Sequence, residues 1–495
     1  MVGSRDLDRR AFLRAAGLLA LAAPGKAAGA RPASETVVND VHSQLNETRV
    51  ARVIAVDSVA AVTRAIHTAR REGRAIAVSG GRHAMGGQQF AAGATLLDTR
   101  PMNRIVSLDR EAGIAEVETG IQWPALVSGL LARQRAGTRR WGIAQKQTGA
   151  DRLTLGGALA ANAHGRGLTM RPFVSDVESF VLVDASGQAR LCSRTRNAEL
   201  FRLAAGGYGL FGVVTSLRLR LAPRRKLERV VEIATVDGLA AAFAGRIRDG
   251  FLYGDFQFAI DERSEDFLRR GVFSCYRPVD PGTPIPATQK ELSEGDWGAL
   301  LRMAHADKAR AFEAYSRHYL ATSGQIYWSD THQLSTYLDD YHRSIDAPAA
   351  ARATEMITEI YVPRADLAPF MSDARDTLRG SSTPVVYGTI RLIERDDESF
   401  LAWARRPYAC VIFNLHLAHS PQGLSRGAEA FRGLIDLAIR RGGSYFLTYH
   451  RWAGRAQVEA CYPQMPQFLR AKRAHDPEER FQSDWYRHYR RMFES

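Results

Sequence analysis

A chain of 495 residues calls for two or three packed units and leaves room to enclose a ligand. Its 45% hydrophobic and 24% charged composition is that of a globular protein, and no apolar run approaches the ~20 residues a membrane-spanning helix needs, so no membrane span is expected. The formal net charge of +14 suits an anionic substrate or nucleic acid; the arginines are scattered rather than gathered in a stripe with aromatics, so no nucleic-acid partner is expected.

The elements follow in chain order. Arg9 and Arg10 stand directly before a mild apolar stretch at 15–23, and Ala28-Gly29-Ala30 offers a cleavage site. Residues 1–30 resemble a bacterial twin-arginine export signal, which implies a periplasmic or secreted protein. That route carries proteins already folded, often around a cofactor. From about residue 53 the pattern gives a helix at 59–71, a strand at 75–79 running into glycines, and a strand at 95–98. A hairpin over 105–108 and 114–119 precedes a helix begun by Pro124. A second hairpin spans 177–193 with its turn at 185–187, followed by a helix at 199–205 and an alternating strand at 213–221. Pro223 and the basic cluster 224–226 mark a boundary. Helices and strands alternate over 224–440, and residues 441–495 are rich in aromatics and arginine. The cysteines Cys192, Cys275, Cys410 and Cys461 lie far apart without a CxxC pair or nearby histidines. They read as buried thiols, and no metal site is expected.

Three segments are suited to chemistry. Val78-Ser79-Gly80-Gly81-Arg82-His83-Ala84-Met85-Gly86-Gly87-Gln88 ends a strand, and its glycines let successive N–H groups turn inward as a pyrophosphate requires. Leu153-Thr154-Leu155-Gly156-Gly157 opens a helix of small residues that reaches Asn162, His164 and Gly165 and permits close approach of a large planar ligand. On its own, His164 is as much a buried, hydrogen-bonded histidine as a site residue. Gly207-Tyr208-Gly209-Leu210-Phe211-Gly212 has the G-x-G-x-x-G spacing, but it follows a helix and leads into a strand. The dinucleotide fingerprint has the opposite order, so a Rossmann fold is rejected.

The order of these segments over residues 45–223, together with Asp476-Pro477-Glu478-Glu479-Arg480-Phe481-Gln482-Ser483-Asp484-Trp485, resembles the FAD-linked oxidases of the vanillyl-alcohol oxidase and p-cresol methylhydroxylase (PCMH) superfamily. The likeness is nearest to alditol and sugar-lactone oxidases and to decaprenylphosphoryl-ribose oxidase. It implies an α+β fold: a PCMH-type FAD-binding domain of two α/β subdomains at 45–223, an α/β substrate-binding cap on an antiparallel sheet at 224–440, and a C-terminal segment, 441–495, returning to the FAD domain. Covalent members carry a G-x-R-H-S loop. Gly81-Arg82-His83-Ala84 matches it with Ala84 for serine, so the resemblance implies FAD bonded to His83, whose neutral imidazole nitrogen is a nucleophile toward the flavin's dimethylbenzene ring. It also assigns Ser79, Gly80, Gly81, Arg82, Ala84, Gly87 and Gln88 to the cofactor, and with them Gly149, Gly157, Asn162, His164, Gly165, Gly212 and Val214. No cysteine precedes Gly156, so a second, cysteinyl attachment is not expected.

On the substrate side, alditol oxidases bear Glu-x-Arg and then an acidic pair. Thr389-Ile390-Arg391 and Asp396-Asp397 fit that frame with the arginine kept and the glutamate lost. Asn414 falls on a family histidine and Tyr449 on a family lysine, so these departures leave the substrate open. Flavin oxidation needs a base for the hydroxyl or amine proton and a cation beside flavin N1 and O2. The resemblance offers Tyr449 or His450 as base, Arg391 as cation, Asn414 as orienting donor and His164 beside the flavin. The expected protein is an FAD-dependent oxidase or dehydrogenase of a small CH–OH donor such as an alcohol, polyol or lactone, with oxygen or another acceptor taking the electrons. Amine oxidation of the cytokinin-dehydrogenase type and a non-catalytic flavin-binding protein are the alternatives.

Overall fold

Short runs of β-branched residues on either side of an amphipathic stretch give the first unit, a parallel crossover. The computed structural model describes residues 35–134, 140–335 and 352–494; the export signal read at 1–30 lies outside them. Strands β1 (Arg52–Ala55), β2 (Ile76–Ser79) and β3 (Thr95–Asp98) form a parallel sheet ordered β1-β3-β2. The intervening helix, Val59–Arg71, starts at Ser58, whose hydroxyl accepts from the Ala61 N–H. Its buried face, Val62, Ala65, Ile66 and Ala69, packs with Ile76 and Leu97 of this sheet.

The second sheet is antiparallel. It contains β4 (Ile105–Asp109), β5 (Ile114–Glu118), β6 (Val177–Val183), β7 (Ala189–Ser193) and β8 (Val213–Arg220), ordered β7-β6-β8-β5-β4. Helices Trp123–Arg133 and Leu155–Ala161 lie between β5 and β6 in sequence. The run 207–212 joins helix Ala198–Ala204 to β8, the reverse of a dinucleotide-binding turn.

The third sheet is the largest, eight strands ordered β12-β9-β11-β10-β14-β15-β13-β16 and paired antiparallel throughout. The strands are β9 (Lys226–Thr235), β10 (Tyr253–Phe258), β11 (Arg270–Pro278), β12 (Ile326–Trp328), β13 (Ala353–Pro363), β14 (Val385–Ile393), β15 (Tyr408–Ala418) and β16 (Ser444–Tyr445). Residues opposite one another in a ladder share a face. The register therefore sets Gln257, Thr389, Ile412 and Glu359 in one row, and Arg391, Cys410 and Tyr361 in the next. The α+β class implied by the resemblance is the observed one. All four cysteines are free and buried, and no helix among the described residues is long and apolar enough to cross a membrane.

The DP-x-x-RF segment is a turn built on one carboxylate. Asp476 Oδ1 accepts from the Arg480 N–H at 2.9 Å, while Oδ2 accepts from the Phe481 N–H at 2.8 Å and from the Lys472 ammonium. The turn sets Phe481 against the edge of β2, where the Ile76 N–H donates to the Arg480 carbonyl at 2.7 Å and the Gln482 N–H to the Ile76 carbonyl at 2.8 Å. Lys472 has no exposed side-chain surface, so Asp476 is the partner its buried charge requires. Asp476→Asn is expected to destabilise the fold by about 3 kcal/mol, read as a lower urea midpoint, because a buried ammonium loses its counter-charge.

Candidate functional site

Where β2 runs out, its glycines bring two loops into contact. A Cβ on Gly80 would sit 2.1 Å from Thr154 Oγ1, and one on Gly81 would sit 2.4 Å from the Arg152 carbonyl oxygen. Only glycine lets the 80–84 loop lie against the start of helix Leu155–Ala161, and the two loops together wall one side of a cavity of about 1260 Å³. Arg82 takes the left-handed region, φ 60°, and the chain then presents His83 to that cavity. His83 Nδ1 lies 2.8 Å from His42 Nε2. Burial, and His42 beside it, push the His83 imidazole down to about 3, so at neutral pH it is uncharged and keeps a nitrogen lone pair.

The opposite wall is the polar face of the large sheet. Arg391 is 3% exposed, yet its Nε and Nη1 have no hydrogen-bond partner among the described residues. Ile412, Asn414 and Tyr387 stand in the neighbouring rows and also line the cavity, as does Tyr449 from the segment after β16. The Tyr449 hydroxyl donates to Glu359 Oε2 at 3.1 Å. Glu359 Oε1 accepts from the Tyr361 hydroxyl at 2.6 Å, faces Cys410 Sγ at 3.2 Å, and meets His164 Nε2. Burial alone would raise this carboxyl, but His164, Tyr361 and Arg391 outweigh it and bring it down to about 2. Glu359 is thus ionised at neutral pH. Burial first, and the Glu359 charge second, hold the Tyr449 phenol well above its ordinary value.

The cavity gathers Gly80, Gly81, Arg82, His83, Ala84 and Gln88 from the first segment. Gly149, Gly157, Gly212 and Val214 line it from the second and third, and Arg391, Asn414 and Tyr449 from the cap side. The remaining residues singled out from the sequence stand behind the wall. Ser79 donates to the Leu97 carbonyl, Gly87 packs on Asn46, and Gly165 is pressed against the Lys146 carbonyl. Asn162 ends its helix with φ 48°, its Nδ2 donating to Asp396 Oδ2 at 2.8 Å and its Oδ1 accepting from the Val174 N–H. One member of the acidic pair therefore ties the cap to the glycine helix, while Asp397 is a surface partner of Arg395. His164 is behind Glu359, with Nδ1 3.0 Å from the Gly165 carbonyl. His450 stacks on Trp452 with ring centroids 3.7 Å apart, and burial pushes it down to about 3.

Sequence reasoning missed His42, Glu355, Glu359, Asp255 and Arg166. The two glutamates are four apart in β13 and so share a face, but period-two alternation does not tell a solvated face from one closed over by another sheet. His42 carries no motif; its proximity to His83 comes from the 39–44 stretch folding back to line the cavity.

The residues present fit FAD. The cavity is larger than the ~300–1,000 Å³ of a drug-sized ligand pocket, and the unpartnered Arg391 donors await an acceptor such as the flavin pyrimidine edge offers. Residues 50–193 match the FAD binding domain family. The chain is similar to an uncharacterized oxidoreductase of the fasciation locus of Rhodococcoides fascians, 31% identical over 34% of this chain and 37% of that protein. It is similar to L-gulono-1,4-lactone dehydrogenase of Mycobacterium tuberculosis, 23% identical over 79% of this chain and 85% of the relative. It is also similar to cytokinin dehydrogenase 9 of Oryza sativa subsp. japonica, 30% identical over 44% of this chain and 42% of the relative. The first and third of these likenesses thus span less than half of the relative's length. Residues 50–193 thus carry an FAD-binding domain, and the large antiparallel sheet follows it in sequence.

Proposed function

We propose that the protein is an FAD-dependent oxidoreductase that oxidises a small CH–OH donor, an alcohol, polyol or lactone, and that His83 holds its flavin covalently. The observation behind this reading is the hydrogen bond from Tyr449 to the ionised Glu359 on the wall that also presents the unpartnered Arg391. Likeness to the lactone dehydrogenase over most of both chains supports the donor class.

When bound, the flavin supplies a two-electron acceptor for the hydride leaving the substrate carbon. Tyr449 takes the substrate's hydroxyl proton as its own moves to Glu359 Oε2, the acceptor it already faces. His164 and Tyr361 hold that carboxylate in place from behind, so it does not turn toward the cavity. Arg391 sets a positive charge where negative charge develops, and Asn414 orients the donor oxygen. His450, stacked and outside the cavity wall, takes no part. Likeness to the cytokinin dehydrogenase supports an amine donor as the second reading, and the two separate by product, a carbonyl compound or lactone against an imine and its hydrolysis products. Residues 1–30 support export by the twin-arginine route.

These readings have direct checks. Tyr449→Phe should bind flavin normally and slow anaerobic flavin bleaching by about 10²-fold or more; an undiminished rate removes Tyr449 from proton transfer. On acid precipitation, yellow colour should stay with the wild-type protein and wash out of His83→Ala, whereas free FAD from the wild type excludes the bond. Arg9→Lys together with Arg10→Lys should leave the protein in the cytoplasm on cell fractionation, and undisturbed export would remove the signal assignment.

A further inference from the structure

A second group of ligand-type side chains, separate from Glu359 and Tyr449, meets around Glu355, which lines the cavity. His305 comes from helix Glu294–Ala306, Glu355 from β13 and His416 from β15, where 355 and 416 face each other across the ladder. His305 Nε2 and His416 Nδ1 each lie 2.8 Å from Glu355 Oε1. A ligand atom from each of the three residues lies within 4.8 Å of the other two. The imidazoles stand edge to face, centroids 5.1 Å apart, so they converge on the carboxylate rather than stack.

Two features point beyond an ion-paired cluster. His305 Nδ1 lies 2.8 Å from the Leu301 carbonyl, which fixes a proton there and aims Nε2 at the group. Metal-ligating histidines are oriented in this way, their second nitrogen donating to a backbone carbonyl. Glu355 is 5% exposed and lines the cavity, yet its Oε2 has no hydrogen-bond partner among the described residues. A carboxylate that serves two imidazoles through one oxygen and leaves the other bare and buried forgoes hydrogen bonding it needs. A cation bound by the carboxylate removes that deficit. Two imidazoles and one carboxylate are the donor set of zinc and non-haem iron sites that keep a coordination position open.

We propose that His305, Glu355 and His416 form a binding site for one divalent first-row transition ion, zinc being the probe of choice, with room beside the three ligands for a further donor atom. The expectation from the sequence that no metal binds rested on neighbours in the chain, and these ligands are brought together only by the sheet register and one helix.

Untagged protein carrying its flavin, stripped with chelator and dialysed against zinc chloride, should take up about one zinc per chain. His305→Ala and His416→Ala should each weaken uptake at least about tenfold with flavin content and far-ultraviolet circular dichroism unchanged, and Glu355→Gln should weaken uptake likewise. Uptake that persists in the His305→Ala, His416→Ala double variant overturns the assignment, as does wild-type protein that takes up no zinc. X-ray absorption at the zinc edge of the wild-type protein gives a check that needs no variant. A shell of imidazole nitrogen and carboxylate oxygen supports the site, and a sulfur ligand would place the ion at Cys410 instead and overturn it.

Discussion

A carboxylate with no exposed side-chain surface, Glu359, is the constraint on which the site's geometry depends. An ionised group in that position must be fully paired, and its partners come from separate stretches of chain. His164 follows the glycine helix of the FAD-binding domain, Tyr361 and Cys410 lie on adjacent strands of the large sheet, and Tyr449 belongs to the segment that leaves that sheet. Losing any one of them leaves the charge short of a partner in a low-dielectric interior. The same requirement that fixes the distance between the two walls therefore positions the phenol that faces the cavity.

The glycine loops supply the complementary constraint. They approach a threonine side chain and an arginine carbonyl too closely for a Cβ to fit, so the wall they form is set by steric exclusion rather than by attraction. Asn162 and Asp396 join the two principles, since a left-handed residue ends the glycine helix and its amide reaches across to a cap carboxylate. Trp403 adds to this junction, its indole N–H donating to the Asn162 carbonyl at 3.1 Å. The cavity is thereby held by hydrogen bonds placed behind its surface, which leaves the surface free to meet ligands.

Much of the first two sheets was legible because their signals are local. Apolar residues at helical spacing mark Val59–Arg71, and glycine runs mark the end of β2 and the start of helix Leu155–Ala161. His83, Arg391, Asn414 and Tyr449 were picked out by likeness, and the fold brings them to one cavity. The cap sheet was not legible in the same way, because its rows join residues such as Gln257, Thr389 and Glu359 that only long-range register makes neighbours. Tyr449 and His450 are adjacent in sequence and fit the same role on paper. One faces Glu359 and the other an indole ring, a difference decided by which way the backbone after β16 turns. Asp396 read as part of an acidic substrate-side pair, and its actual partners are an amide and a serine hydroxyl inside the protein.

The pairing of Phe481 with Ile76 bears on the order in which the protein can be made. The strand that ends in the Gly80 loop acquires its outer neighbour only when a segment synthesised much later has left the ribosome and closed its turn around Asp476. Until then the edge of β2 is unpaired and the loop beyond it lacks its support. The loop that walls the cavity therefore depends for its support on residues 476–482, far along the chain from it.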